Sequence, residues 1–458
     1  MRRKVLFILY FFLSKLYSYS VKNNRIIDNY GRERLYHGVN VIYKKFPWHP
    51  IVNKFNYNLS FNDEDIGIIN NLGLNIIRLG LMWPGVEPIK GQYNMIYLNV
   101  MKNIVQKLDN YNISVIVEFH QDALSEYFCG EGLPDWIINN SNFPMPIGLP
   151  YNKFGKPSKE KCLSKDWWKY QFTFAAGEMY KKLYTDSMIV NSFLGYWNIV
   201  AKTFNDSNNV IGYEIINEPW AGNIYKNPEL LLPKYADKKY IEPFYNKLFN
   251  NLSLSGYLNN KLFFFEPVTC SINGAGFDYP PNKNNTKCVL AYHCYFPPEI
   301  SVDQLFRSRM RDIRRLGIAG FITEMGATNI VDILTYTDRY FQSWAVWQYK
   351  IFSGITGDGS MFFNKNGTIA EARYLLNRSY PRAICGHGTY YNFNLTTNEV
   401  LLIYENNPKC NSDTEIYIST MPNNYKISVL PPTLYLFDDK ILYIKPLNYS
   451  VQVIVRIF

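Results

Sequence analysis

Two glutamates, each placed where an apolar run stops, are the residues of this chain best suited to chemistry. Val210-Ile-Gly-Tyr-Glu-Ile-Ile216 is β-branched and apolar, and ends abruptly in Asn217-Glu218-Pro219. Pro219 has no N–H to offer a ladder and pushes the residue before it toward extended geometry, so a strand stops there. Ala319-Gly-Phe-Ile-Thr-Glu324 repeats the pattern. A single strand-end carboxylate ordinarily caps a turn. Two that face each other can divide a displacement between them, one moving a proton and the other attacking. Retaining glycoside hydrolysis uses such a pair ~5–5.5 Å apart. Its acid stays protonated because burial and a neighbouring carboxylate raise its pKa.

Further polar residues end or interrupt apolar runs: Arg78 within Asn75–Gly80, His120-Gln-Asp122 after Ser114–Phe119, His293 after Cys288–Tyr292, and Trp347 after Ser343–Val346. Taken singly, Arg78 reads as a structural ion pair, the histidines as satisfied core residues and the tryptophan as packing. His120, Asp122 and His293 could form a metal set, but HExxH and cysteine spacings are missing, and no metal is expected. A doubly wound sheet is the alternative arrangement of such strands, but they lack a GxGxxG phosphate turn, and no cofactor is expected.

The elements that must hold these residues alternate. Strands are predicted at Arg34–Val41, Asn75–Gly80, Ser114–His120, Val210–Ile216, Lys261–Phe265, Cys288–His293, Ala319–Glu324 and Ser343–Gln348. Helical spacing appears at Asp63–Leu72, Tyr93–Tyr111, Trp167–Tyr184, Val302–Leu316 and Asp332–Phe341. Gly73 and Gly317 supply helix stops, and Gly38 permits close backbone approach. Eight such strands read as an α/β fold, a (β/α)₈ TIM barrel over 21–378, with chemistry at the strands' C-terminal ends. Ala123–Lys165 is a long Gly- and Pro-containing excursion, the kind of loop that carries function. From Ser379 the helical period disappears. Strands at Tyr390–Leu395, Val400–Tyr404, Glu415–Ser419, Ile441–Ile444 and Val451–Ile457 predict a small C-terminal β-sandwich over 379–458. The basic stretch Arg307–Arg315 is expected to be a solvated helix face.

The chain has 458 residues, of which 47% are hydrophobic and 19% charged, as in a globular protein. Residues 1–20 have the pattern of a secretory signal peptide: Arg2-Arg3-Lys4, an apolar core from Val5 to Leu13, and Ser18-Tyr19-Ser20 at the cleavage spacing. Its removal takes away Arg2, Arg3, Lys4 and Lys15 and lowers the net charge from +10 to +6. That mild positive charge suits contact with anionic lipid surfaces. No basic stripe with interleaved aromatics is present, so nucleic acid is not an expected partner. In an oxidising compartment some of the seven cysteines should pair. Cys129 with Cys162 and Cys385 with Cys410 are two candidates among several connectivities, and the odd count leaves at least one cysteine over. Asn58-Leu-Ser, Asn205-Asp-Ser and Asn394-Leu-Thr are sequons that fit secretion.

Asn217-Glu218-Pro219 after the fourth strand and Glu324 after the seventh resemble the motifs of glycoside hydrolase family 5, in clan A. Within it the chain is most similar to the endoglycoceramidases, on three stretches: Phe119-His-Gln-Asp-Ala-Leu-Ser-Glu-Tyr-Phe-Cys-Gly-Glu-Gly-Leu-Pro-Asp-Trp136, Tyr213-Glu-Ile-Ile-Asn-Glu-Pro-Trp-Ala-Gly-Asn-Ile-Tyr225 and Ile322-Thr-Glu-Met-Gly-Ala327. The resemblance runs from about Gly38 into the C-terminal β region. It implies a secreted retaining glycosidase that separates oligosaccharide from ceramide in glycosphingolipids, acting outside the cell or in an endolysosomal lumen. Glu218 would be the acid/base and Glu324 the nucleophile. Asn217 would bind the sugar 2-OH, and His293 and Tyr295 would orient Glu324. Arg78 would favour its ionised form. Lys44, His120 and Asp122 would bind sugar hydroxyls over the floor of Trp347. Gln348 departs from the pattern, which has an acidic residue there, and this bears on glycan preference. Pro144–Pro150 is a candidate lining for a lipid groove. A family 5 glucosylceramidase, steryl-β-glucosidase or β-glucanase would share the catalytic residues; a non-catalytic glycolipid-binding barrel would not need both glutamates.

Overall fold

The computed structural model describes residues 17–138, 155–269, 271, 274–352, 359–422 and 425–458. Eight parallel strands close into a barrel: β4 (His37–Val41), β5 (Ile76–Gly80), β6 (Ser114–Glu118), β7 (Val210–Glu214), β8 (Leu262–Phe265), β9 (Cys288–Cys294), β10 (Ala319–Met325) and β11 (Ser343–Val346). All eight predicted barrel strands are present. Nearly every residue in them is buried, because helices cover the outside and side chains fill the inside. Gly38 is needed where it stands: a Cβ there would lie 2.2 Å from the Ile76 carbonyl oxygen of the neighbouring strand. Gly73 and Gly317 follow their helices with φ of +72° and +69°, the left-handed geometry that lets glycine end a helix.

Two long helices were not anticipated. Ser187–Phe204, capped by Asp186, lies between the predicted helix at 167–184 and β7, and Glu242–Leu254 lies between β7 and β8. The first is dense in aromatic and β-branched residues, which blurs its helical period. Its cap was the usable signal: the Asp186 carboxylate accepts from the N–H groups of Met188 and Ile189. The helix Val302–Leu316 is also less solvated than its charge suggests. Arg309 is buried between Glu299 and Asp312, and Arg315 donates to the carbonyl of Ala275.

The C-terminal strands form two antiparallel sheets. One contains β13 (Gly386–Phe393), β14 (Val400–Asn406), β16 (Ile427–Leu430) and β19 (Gln452–Ile457). The other combines β12 (Tyr380–Ile384), β15 (Thr414–Tyr417), β17 (Tyr435–Asp438) and β18 (Ile441–Ile444) with three strands from the opposite end of the chain. Those are β1 (Ser20–Lys22), β2 (Arg25–Ile27) and β3 (Glu33–Arg34), and β3 pairs with β12. The expected cut at 378/379 therefore does not separate the sheets, because residues 20–34 belong to the sandwich. Tyr19, Val21 and Ile26 pack with Ile76, Ile116, Ile211, Leu262 and Phe321 across the barrel floor. Tyr19 and Ser20, the last residues of the segment read as a signal peptide, lie within the fold. The barrel's other end is left for chemistry.

Among the described cysteines, Cys129–Cys162 and Cys385–Cys410 are disulfides, and Cys288 and Cys294 are free and buried. Pro144–Pro150 and the charged and apolar parts of the N-terminal segment lie outside the described residues.

Candidate active site

Arg78, in the middle of β5 and fully buried, is the hub. All five of its N–H groups are used. The Nε and one Nη2 hydrogen make a two-point bond to Glu214 at 2.9 Å each, and the other Nη2 hydrogen reaches Asn217 Oδ1 at 2.9 Å. Nη1 donates to Asn40 Oδ1 at 2.9 Å and to Glu324 Oε1 at 2.6 Å. Side chains from β4, β5, β7 and β10 are thereby fixed to one planar group. A buried charge network of this kind holds only if its members are all paired.

Glu324 owes its position to a bulge. Along β10 and β9 the register pairs Ile322 with Tyr292 but Glu324 with His293, so Thr323 is the extra residue. The bulge re-aims the strand end. Glu324 comes to lie beside His293, and the Thr323 carbonyl turns to accept from Asn40 Nδ2 at 2.9 Å. Tyr295 donates to Glu324 Oε2 at 2.7 Å. Glu324 thus takes one hydrogen bond on each oxygen.

Glu218 follows β7 and keeps 15% of its side chain exposed, against 6% for Glu324. Its φ is +41°, a left-handed conformation costly for a residue with a Cβ. Neighbours hold it there: Gln121 Nε2 donates to the carbonyls of Asn217 and Glu218, at 2.6 and 3.0 Å. The Glu218 N–H donates to Glu266 Oε2 at 3.0 Å. Its carboxyl lies 2.8 Å from His293 Nδ1, and oxygens of Glu218 and Glu324 are within 4.8 Å of each other. Burial pushes the Glu218 pKa up, and the charges of Glu324 and Asp122 add to this against the pull of His293. Burial alone would push the His293 imidazole down. The carboxylates of Glu266 and Glu324 and the bond to Glu218 outweigh it and hold His293 well above the usual histidine range.

A second cluster flanks the pair. Lys44, just after β4, forms ion pairs with Asp122 and, at 3.2 Å, with Glu131. His120 meets Glu118 at 2.9 Å and Asp122 at 3.4 Å, and its ring stacks on Trp347 at a centroid distance of 5.4 Å. Lys44 Nζ stands 4.6 Å above the same indole. Burial drives His120 down, but Glu118 and Asp122 prevail and its pKa rises to about 9. Glu131 arrives on the long excursion after β6, whose bridge to Asp122 has no room for a Cβ at Gly130. The Cys129–Cys162 disulfide closes that loop.

The ten residues singled out from the sequence thus converge on one end of the barrel. His293 differs in detail from expectation, being nearer Glu218 (2.8 Å) than Glu324 (3.5 Å). Asn217 has one amide N–H bonded to the Gln121 carbonyl and its Oδ1 taken by Arg78, which leaves one N–H for a ligand. Asn40, Glu118, Gln121, Glu131, Glu214 and Glu266 were not assigned roles. The signal for three of them was an acidic residue within or at the end of an apolar strand. Among the described residues, ligating atoms converge within 4.8 Å in three sets, His120/Asp122/Glu131, Glu214/Glu266/His293 and Glu218/His293/Glu324. In each, Lys44, Arg78 or His293 already supplies a cation to the oxygens, so the donor sets fit an ion-pair network.

Residues 40–353 match the model for cellulase (glycosyl hydrolase family 5), and residues 378–457 match the glycoside hydrolase family 5 C-terminal domain. The chain belongs to glycoside hydrolase family 5. Within the family it is 36% identical to an endoglycoceramidase of Hydra vulgaris, over 90% of this chain and 83% of that protein. An endoglycoceramidase of Cyanea nozakii is 34% identical over 91% of this chain and 88% of its own. In fold the chain is similar to endo-glycoceramidase II from Rhodococcus sp., with a TM-score of 0.75 at 19% identity, covering 94% of this chain and 98% of that one. This is a glycoside hydrolase of the endoglycoceramidase type, in which a family 5 barrel carries a family 5 C-terminal sandwich.

Proposed function

We propose that this family 5 enzyme is a secreted retaining β-glycosidase that cuts between the oligosaccharide and the ceramide of glycosphingolipids. One observation carries the retaining mechanism: one oxygen of Glu218 and one of Glu324 lie within 4.8 Å of each other. Inverting enzymes keep their carboxyls ~6.5–9.5 Å apart to admit a water, whereas retaining ones bring them to ~5–5.5 Å. Glu324, bonded by Arg78 and Tyr295, attacks the anomeric carbon while Glu218 gives its proton to the departing ceramide oxygen. In the second step Glu218 takes a proton from water, whose oxygen displaces Glu324 from the sugar. The free N–H of Asn217 meets the 2-OH, Trp347 stacks beneath the sugar, and Lys44, His120 and Asp122 bind its hydroxyls. Support for the substrate comes from the two cnidarian relatives named endoglycoceramidase. Support for secretion comes from the N-terminal sequence pattern and from two disulfides, which persist in oxidising compartments. A bilayer is where such a substrate resides, so the enzyme works at a membrane surface, outside the cell or in an endolysosomal lumen.

The test is incubation with lactosylceramide, a ganglioside, glucosylceramide, a steryl glucoside and a soluble β-glucan, with products read by mass spectrometry. Release of the intact oligosaccharide together with free ceramide is the expected result. Cleavage confined to the steryl glucoside, to glucosylceramide or to the glucan would overturn the substrate assignment.

A further inference from the structure

Glu266 directly follows β8 and was not among the residues singled out from the sequence. It is buried, and its two oxygens point to two different parts of one residue's surroundings. Oε2 accepts from the backbone N–H of Glu218 at 3.0 Å. Oε1 lies 2.8 Å from Nε2 of His293, whose Nδ1 lies 2.8 Å from the Glu218 carboxyl. A closed ring results, running from Glu218 backbone to Glu266, to His293 and back to the Glu218 side chain. It encloses the one residue of the pair whose backbone is in the left-handed region, at φ +41°. Such a conformation persists when its surroundings over-determine it.

We propose that Glu266 is the positioning residue of the acid/base: it pins the strained backbone of Glu218 and, through His293, sets how readily Glu218 releases its proton. The proposal rests on the assignment of Glu218 as acid/base. Around Glu266 stand His293 from β9, Glu214 from β7, Arg78 from β5 at 3.9 Å and Tyr245, whose hydroxyl donates to the Glu266 carbonyl and accepts from its N–H. Glu324 and Asp122 face the His293–Glu218 end of the ring. Burial pushes Glu266 up, yet His293, the hydrogen bond with Glu214 and the Arg78 charge prevail and hold it down; Glu214 is pushed up to about 8, chiefly by burial, so Glu266 is the anionic member of that pair. An anion behind Nε2 keeps His293 protonated, and an imidazolium at Nδ1 draws the Glu218 proton off more easily. Replacing Glu266 by glutamine removes the anion and discharges His293. Glu218 then holds its proton to higher pH.

The experiment compares Glu266→Gln with wild type and with Glu218→Gln on two kinds of β-glycoside. One kind has a poor leaving group (lactosylceramide, or an alkyl lactoside) and the other a good one (2,4-dinitrophenyl lactoside). Glu266→Gln is expected to lower kcat tenfold or more on the poor leaving group and under threefold on the good one in the first step, with KM little changed. The alkaline limb of kcat/KM is expected to move up by at least half a pH unit. Glu266→Asp keeps the charge but is too short to span both partners. It is expected to lose kcat while its alkaline limb stays within about 0.2 units of wild type, and it carries the test if the glutamine variant does not fold. An alkaline limb unmoved in Glu266→Gln, or equal losses on both leaving groups, would overturn the role of Glu266. Absence of leaving-group dependence in Glu218→Gln would instead overturn the acid/base assignment beneath it.

Discussion

Glu218 and Glu324 have similar chemistry and different surroundings, and the difference gives them separable signatures. Glu324 is bonded on both oxygens, by a guanidinium and a phenol. Glutamine in its place cannot form the covalent intermediate, so Glu324→Gln should lose several orders of magnitude of kcat on every substrate, with far-UV circular dichroism unchanged. Activity near wild type on an aryl glycoside would mean that the nucleophile is elsewhere. Glu218 works as an acid, and its pKa is raised, chiefly by burial. The protonated form needed for the first step therefore persists above the ordinary carboxylate range, and kcat/KM should fall on the alkaline side only as pH rises through that raised value. Glu218→Gln should lose about 10²–10⁴-fold on poor leaving groups and abolish the alkaline limb.

Both glutamates were readable in the sequence because each ends an apolar run. Their partners were not. Glu118, Glu214 and Asn40 sit within or beside strands, and what makes them functional is a guanidinium on β5 that no local pattern names. The bulge at Thr323 was equally hidden, since an extra residue shows only when β9 and β10 are laid side by side.

At the scale of elements, the barrel was readable from strand periodicity and strand ends, whereas two of its helices were not. Ser187–Phe204 matters for the site as well as for packing. Trp197 on it is fully buried and donates to the Ile215 carbonyl at 3.2 Å, two residues before Asn217. Trp197→Ala should cost about 3–5 kcal/mol in urea unfolding. Trp197→Phe, which loses the N–H and part of the ring, should cost nearer 1–2 kcal/mol. Equal costs would mean that cavity formation has no part in the loss. The excursion after β6 makes a second test. Its disulfide tethers the segment that brings Glu131 to Lys44. Changing both Cys129 and Cys162 to serine should raise KM for glycoside substrates several-fold while changing kcat less, because the catalytic pair is held by the barrel strands and not by this loop.

The whole molecule is tied together in a way that periodicity could not reveal: the chain's first strands lie beneath the barrel and complete a sheet made by its last. Strands as short as β3, with two residues, have no readable alternation, and their pairing with β12 spans most of the chain. The junction has a titratable group at its centre. His37, at the start of β4, stacks between Trp344 of the barrel at 4.4 Å and Tyr380 of the sandwich at 3.6 Å. Burial, with Arg378 and Arg382 nearby, holds its pKa well below the usual histidine value, so it is neutral when folded. An unfolded chain titrates this residue at about 6.5. Below that pH the unfolded state binds a proton that the folded state refuses, and stability falls as pH drops toward the depressed folded value. The effect can reach at most about 2 kcal/mol at pH 5. Asp338, pushed up to about 6 chiefly by burial against the pull of Arg378, contributes with the opposite sign. Total stability therefore hides the histidine's share, and a comparison isolates it. His37→Phe keeps the stack, cannot titrate and leaves Asp338 in place. Urea unfolding of both proteins between pH 7.5 and 5 should show the variant gaining on wild type as pH falls, by up to about 2 kcal/mol. A gap that stays constant with pH would mean that His37 takes up its proton as readily in the fold as in the unfolded chain, and that the junction does not hold it neutral.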